Sequence, residues 1–306
     1  MLTAWNVEPS VLAGVAIVAA GYATALRYGR RRGACPKRGL GEVVRAGRVV
    51  AFAVGLTALL LALISPLDTL ADGYLLSAHM AQHLLLILVF PPLALYGLPA
   101  WLLRDLVGTR AGGWLERVGG RPLVALLAYA VGLGAWHLPP LYDAALLDER
   151  VHVVEHLTFI AVAFLFWWPV LAPLAECDRL GPLGRVGYLF LAQLPNALVA
   201  AAIAFAPGIL YTPYQAAADP LGWRALIRGA WGLSAQADQQ LAGVIMWVPM
   251  GFVLTAFAIV ILVRCLDGVD NQEPEAAADG ADAAAVAWRG LRTQDSGLSG
   301  GGGLRD

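Results

Sequence analysis

The sequence predicts an all-α integral membrane protein, built as a seven-transmembrane-helix bundle. Three observations carry this. The 306-residue chain is 59% hydrophobic and only 14% charged, whereas a soluble domain carries about 25% charged residues. Several apolar runs approach or exceed the roughly 18 residues needed to cross a bilayer core, and the alternation of a membrane barrel is absent. Basic residues concentrate in every second connection, as the positive-inside rule requires.

The apolar runs place helices at about 9–28, 46–64, 75–98, 121–138, 151–172, 186–206 and 239–263. Pro66, Pro139, Pro140, Pro207 and Pro213 punctuate the connections. No basic segment precedes the first run, which therefore reads as a retained helix and not a cleaved signal peptide. The first connection carries Arg27, Arg30, Arg31, Arg32, Lys37, Arg38, Arg45 and Arg48, and the third Arg104, Arg110, Arg117 and Arg121. The fifth carries Arg179 and Arg185, and Arg264 follows the last helix. The even-numbered connections hold only Arg150, Arg224 and Arg228. The expected orientation is N-terminus outside and C-terminus cytoplasmic, in a multi-pass protein.

Two domains follow: a transmembrane bundle over 1–268, and an Ala-, Gly- and Asp-rich cytoplasmic tail over 269–306 that reads as disordered. Cys35, Cys177 and Cys265 all fall at cytoplasmic ends, the reducing side, so no disulfide framework is expected. A short internal repeat is visible. Pro66-Leu67-Asp68 precedes His79-x-x-Gln82-His83-Leu84, and Pro140-Leu141-Tyr142-Asp143 precedes His152-x-x-Glu155-His156-Leu157. A fainter copy begins at Asp238-Gln239-Gln240-Leu241. This suggests helices 2–3, 4–5 and 6–7 as repeated hairpins.

The chain has five histidines, and four form two i,i+4 pairs, His79/His83 and His152/His156. That spacing puts both rings of a pair on one helix face. The third and fifth helices start at the outer face, which places these pairs in their first turns. His137 sits in the last outward turn of the fourth helix. All five thus fall on one side of the membrane. A lone intramembrane histidine is ordinarily a helix-bonding residue, but five at one depth point to a shared metal site.

Met80 beside the first pair and Met246 two turns into the last helix add thioethers, although methionine is also a common packing residue. Imidazole plus thioether at an outward-facing site fits copper best, with zinc behind it. Gln82, Glu155 and Asp238 are candidates to orient the imidazoles, and Asp238 equally suits a helix cap. More ligands are present than one ion needs, so one site or two remains open.

His152-x-x-Glu155-His156 matches the H-x-x-E-H pattern of a class of zinc peptidases. The parallel stretch has Gln82 where the base would be, so a zinc hydrolase is a minor alternative. Paired histidines on facing helices also suit haem, but i,i+4 pairs crowd one face. Lys37 is the only lysine and lies in a connection, so a retinal protein is excluded. No acid lies mid-helix, which argues against proton-coupled transport. Gln193 and Asn196 either line a cavity or hold helices together. The connection 207–238, with Tyr211 and Tyr214, is long enough to cover the histidines or dock a partner.

A series of motifs stands in one order. It runs from Ser65-Pro66-Leu67-Asp68 to His79-Met80 with Gln82-His83-Leu84-Leu85, then Pro91-Pro92. Trp136-His137 with Pro139 and Tyr142 follows, then His152, Glu155, His156 and Phe159, leading to Trp167-Trp168-Pro169. Asp238-Gln239-Gln240-Leu241 with Gly243 and Met246-Trp247 closes it. Over roughly 50–263, the sequence resembles the heptahelical CtaG family of cytochrome c oxidase assembly factors. The resemblance implies a non-enzymatic protein of the bacterial plasma membrane, needed to make active haem–copper oxidase and helping to supply its copper. The partners it implies are an oxidase subunit and a copper donor; the lipid bilayer surrounds the chain, and no nucleic acid is expected. A scaffold whose histidines only hold helices together is the remaining alternative.

Overall fold

The structure is a computed structural model that describes residues 4–31, 46–171, 174, 179–216 and 219–295. Cys35, Cys177 and Lys37 lie outside these residues, as do residues 296–306 of the expected tail. The described residues are predominantly helical, with no strand among them. The chain divides into two units, Met1–Ala258 and Ile259–Asp306, and all the site residues below belong to the first.

In chain order the first elements are α1 (Pro9–Arg31), α2 (Ala46–Ile64), α3 (Pro66–Gly73) and α4 (Leu76–Leu84). A π-helical segment (Leu85–Val89) joins α4 to α5 (Phe90–Gly97). Then come α6 (Ala100–Val107), α7 (Arg110–Gly119), α8 (Pro122–Trp136), α9 (Pro139–Leu147) and α10 (Glu149–Leu171). The last are α11 (Gly181–Ala204), α12 (Pro213–Ala216), a π-helical segment (Ala225–Ala230) and α13 (Ala235–Asp295).

Among the described residues, six helices are long and apolar enough to cross a membrane: Pro9–Gly29, Ala46–Ile64, Leu76–Gly97, Glu149–Leu171, Gly181–Ala204 and Ala235–Asp267. A seventh span requires joining Gly112–Gly119 to Pro122–Trp136, which are bent by 96° at their junction. The expected helix at 121–138 is thus shorter, 15 residues. His137 leaves the helical region at φ −89°, ψ 0°, and the proline pair 139–140 starts a new helix two residues later. At the other end, α13 continues to Asp295, through the segment whose composition reads as a disordered tail. Its Ala-rich stretch carries the highest intrinsic helix propensity.

Local chemistry explains the break inside Leu76–Gly97. Pro91 and Pro92 have no N–H, so the carbonyl of Ile87 lacks both its i+4 and i+5 donors. The indole of Trp167 supplies the missing proton, donating from Nε1 to Ile87 O at 2.8 Å. The widened turn is thereby tied to α10, the helix that carries the second histidine pair.

The start of α4 is fixed in a similar way. Its N-cap, Leu75, has no side chain able to accept the free N–H groups of the first turn. Asp238 of α13 does this from 161–162 residues away. Leu76 N and Ser77 N donate to its two oxygens at 2.9 and 3.3 Å, and the Ser77 hydroxyl also donates to it.

Two glycines permit close helix contact. A Cβ at Gly97 would fall 2.6 Å from Phe52 Cβ, where α5 meets α2. Tyr22 of α1 seals this contact, donating to Gly97 O at 2.9 Å and stacking on Phe52 with ring centroids 3.9 Å apart. A Cβ at Gly243 would lie 2.7 Å from Ala200 O, where α11 meets α13. Beside it, Asn196 donates to Met246 O at 3.2 Å. Such small-residue approaches and buried amides are the usual means of holding membrane helices together.

Replacing Asp238 by Ala leaves two backbone N–H groups and a hydroxyl without an acceptor, at a cost of about 1–3 kcal/mol. The thermal unfolding midpoint in detergent is expected to fall for Asp238→Ala and less for Asp238→Asn, which keeps one acceptor oxygen. An unchanged midpoint for Asp238→Ala would show that the cap contributes nothing.

Candidate metal centre

All five histidines converge. Rings carried by α4, by α10 and at the end of α8, distant in sequence, share one buried space. His79 and His83 present Nε2 atoms to each other at 2.8 Å, with ring centroids 4.2 Å apart. His152 and His156 have centroids 4.1 Å apart, and His156 lies 5.5 Å from His83. His137 is 6.2 Å from His83. All five are buried, His79 completely.

Glu155, also fully buried, extends from α10 toward the first pair. Its two oxygens stand 3.8 Å from His79 Nε2 and 3.8 Å from His83 Nε2. Neither oxygen has a hydrogen-bond partner. His83 Nδ1 and the Nε2 atoms of His137, His152 and His156 are likewise buried and unpartnered. Each such group forfeits about 1–3 kcal/mol if nothing pairs with it.

The surrounding hydrogen bonds assign two tautomers. The hydroxyl of Tyr214 donates its one proton to Ala71 O at 2.7 Å. His79 Nδ1, 3.3 Å from the same hydroxyl, must therefore be the donor, which leaves the Nε2 lone pair facing His83. His137 Nδ1 lies 2.7 Å from Leu133 O and can only donate to it. Its Nε2 lone pair is thus also left over. These are the tautomers in which a backbone or hydroxyl partner prepares an imidazole to ligate through Nε2.

Among the described residues, two groups have ligand atoms all within 4.8 Å of one another: His79, His83 and His156; and Asp72, His79 and His152. They share His79. Asp72, in α3, was not among the residues singled out from sequence, where it is one acid among several in a connection. The structure places its Oδ1 3.6 Å from His152 Nδ1.

The remaining candidates divide. Met80 and Met246 lie beside His83 and His137, lining one small cavity together with Met250. Gln82 points away from the rings and donates to Asp68 Oδ1 at 2.7 Å and to Ala62 O at 2.9 Å. Asp238 serves the cap described above. Both brace α4 and neither orients an imidazole. Met250, one helical turn after Met246 on the same face, was a readable signal that the sequence analysis passed over.

The connection from α11 to α13 closes over the site. Tyr211 donates to His137 O at 2.9 Å, and Tyr142 of α9 stands 3.1 Å from the Tyr214 hydroxyl. Farther along, Asp219 accepts from the Tyr74 hydroxyl at 3.0 Å, and Ile227 packs into the cluster of Ala71, Tyr74, Leu75 and Ala78.

Fold and site together define an α-helical membrane protein organised around a buried histidine–carboxylate cluster. A model of the cytochrome c oxidase caa3 assembly factor family matches residues 20–267, and the chain belongs to this family. The match extends on both sides of the 50–263 stretch that carries the motifs and takes in about half of α1. Among curated proteins, uncharacterized proteins of Mycobacterium bovis and Mycobacterium tuberculosis are each 26% identical over 281 residues, covering 87% of this chain and 39% of theirs. One of Mycobacterium leprae is 24% identical over 260 residues, 80% of this chain and 37% of its own. The chain therefore spans about two fifths of the length of the curated relatives it matches. No solved structure matches.

Asp68 gives a test of the packing that supports the cluster. It lies in α3, between the N-terminal segment and α4, and accepts from Asn6 at 2.9 Å as well as from Gln82. Burial pushes its carboxyl up to about 6, against the pull of these two hydrogen bonds toward the charged form. The unfolded carboxyl titrates near 4, so between about pH 4 and pH 6 the folded state binds more protons than the unfolded. That contribution to stability is present below this window and is lost as pH rises through it. Asp68→Asn is expected to flatten the pH dependence of the unfolding midpoint across the window. An unaltered slope would assign the dependence to other groups.

Proposed function

We propose that this protein is a non-enzymatic assembly factor that takes copper from outside the plasma membrane and presents it to a haem–copper oxidase subunit in the same bilayer. A copper donor supplies it. In this reading the chain crosses the membrane seven times, the bent α7–α8 pair being the fourth span. The N-terminus faces outside and the C-terminus the cytoplasm, as the alternation of basic connections indicates. The bundle extends to about residue 268, and helical hairpins 2–3, 4–5 and 6–7 are repeated units.

The observation that carries the proposal is the group His79, His83 and His156, whose ligand atoms lie within 4.8 Å of one another among unpartnered buried atoms. Neutral imidazoles with free lone pairs suit a late first-row ion, and Glu155 beside them balances its charge. His83, whose Nδ1 is unpartnered, can ligate through Nε2 by shifting its ring proton to Nδ1, with no net proton released. Membership of an oxidase assembly family supports copper among the metals this donor set accepts.

An approach route supports the same reading. A cavity of about 320 Å³ reaches His152 and His156, and Glu8, Asp68, Asp72 and Glu149 stand in its wall. Carboxylates at such an entrance raise the local concentration of cations.

The alternatives fit less well. In the zinc peptidase pattern the two histidines of one helix hold the ion together. Here His156 groups with His79 and His83, whereas His152 groups with Asp72 and His79. Haem needs a flat slot, and these rings stand within 4.1 to 6.2 Å of a neighbour.

Purified protein loaded with copper is expected to retain it at stoichiometric level. His79→Ala with His156→Ala should weaken binding by about a hundredfold or more, beyond the effect of removing an orienting partner. Glu155→Gln should weaken copper binding through loss of the balancing charge and reduce oxidase assembly only in proportion, because a carrier needs no general base. Loss of assembly in Glu155→Gln with copper binding preserved would favour a hydrolase. Folded His→Ala variants that bind copper as the parent does, or a parent that binds none, would leave only a scaffold role.

A further inference from the structure

Next to the histidine cluster, on the side of His83 and His137, lies a small cavity that the proposed site does not use. Its walls are Met80, His83, Leu84, Ile87, Leu133, His137, Asn196, Met246 and Met250. Three features set it apart. First, the chain has four methionines and three of them meet here, from two helices far apart in sequence. Second, its volume is about 20 Å³, enough for one water-sized species and no more. Third, the Nε2 lone pair of His137 has no partner, and its tautomer is held by Leu133 O at 2.7 Å.

Methionine alone would be ordinary packing, since its flexible thioether fills irregular gaps. A packing role does not account for the remaining gap, nor for an imidazole fixed with an unsatisfied nitrogen at its edge. Apolar filler at three positions would have been Leu or Ile as readily as Met. Asn196, which also reaches the cavity, has its amide nitrogen committed to Met246 O. No carboxylate lines this space. The available donors are thus three uncharged soft sulphurs and one neutral nitrogen.

We propose that this cavity is a second metal site, selective for a soft monovalent ion such as Cu(I) or Ag(I), held by the thioethers of Met80, Met246 and Met250 with Nε2 of His137. Thioethers select Cu(I), whereas the nitrogen and carboxylate set of the first site also accepts divalent ions. His83 borders both sites. A neutral imidazole offers one lone pair at a time, and that of His83 is assigned to the first site, so the two sites are neighbours with separate ligand sets. The proposal extends the copper reading and depends on it only for the biological cargo. Its ligand chemistry stands independently.

The test uses the full chain in detergent under anaerobic, reducing conditions, titrated with Cu(I) or Ag(I) against a chromogenic chelator. X-ray absorption of the copper-loaded protein reports the ligand atoms. Met→Leu conserves volume, and the triple variant Met80→Leu/Met246→Leu/Met250→Leu is checked for an unchanged unfolding midpoint. Met246→Leu alone is the fallback should the triple variant fail to fold. The parent is expected to show copper–sulphur scattering. The triple variant should lose that scattering and one equivalent of Cu(I), and the single variant should bind that equivalent about tenfold more weakly, a loss of about 1.4 kcal/mol. Zn(II) binding, which reads the first site, should be unaffected in both. Cu(I) held with nitrogen and oxygen scattering only, or bound equally well by the Leu variants, would overturn the proposal. Sulphur scattering without any Zn(II) binding would uphold this site and remove the first.

Discussion

Water is largely excluded from the space where α4, α8 and α10 meet, yet that space holds five imidazoles and a carboxylate. In an apolar bundle the fold must either pair these groups with protein atoms or leave them for something else. It does both, selectively. His79 Nδ1 and His137 Nδ1 are paired with Tyr214 and Leu133, while Glu155 and the Nε2 atoms of His137, His152 and His156 are left unpaired. Each open position costs about 1–3 kcal/mol. The protein carries several of them in one place.

The rest of the bundle holds those open groups in register. Asp238 of α13 fixes where α4 begins, and Gln82 ties the next turn to Asp68 and to α2. Below the histidines, prolines release a carbonyl that Trp167 recovers, so α4 and α10 are pinned by a bond outside the site. The polar residues nearest the cluster in sequence, Gln82 among them, serve the scaffold. The residues that orient the imidazoles come from elsewhere: a backbone carbonyl of α8 and a tyrosine from the connection above.

Much of this was legible in the sequence for simple reasons. Helical periodicity makes i,i+4 pairs face one way, and charge asymmetry puts separate pairs at one level, so a histidine cluster could be expected from position alone. The length and tyrosines of the connection after α11 allowed it to cover the site, and Tyr211 and Tyr214 do reach His137 and His79. What escaped was three-dimensional. Asp72 is one acid among several until α3 folds back toward His152. The role of Asp238 spans more than 160 residues and has no local signature. Tautomers depend on partners that no spacing rule supplies. The bend between α7 and α8 was hidden because hydropathy averages over it.

The tyrosine hydroxyl that accepts from His79 has a consequence for control. A stronger bond at Nδ1 makes the opposite ring nitrogen a better donor to an ion. Tyr214 belongs to the short helix α12, outside the apolar helices, and is anchored on Ala71. In the proposed carrier, whatever strengthens the seating of that segment would strengthen ion retention, and by reciprocity a held ion would strengthen the seating by the same free energy. A protein that lifts the segment on contact would thereby loosen the cargo, so that release is coupled to encounter and needs no change in the helices themselves.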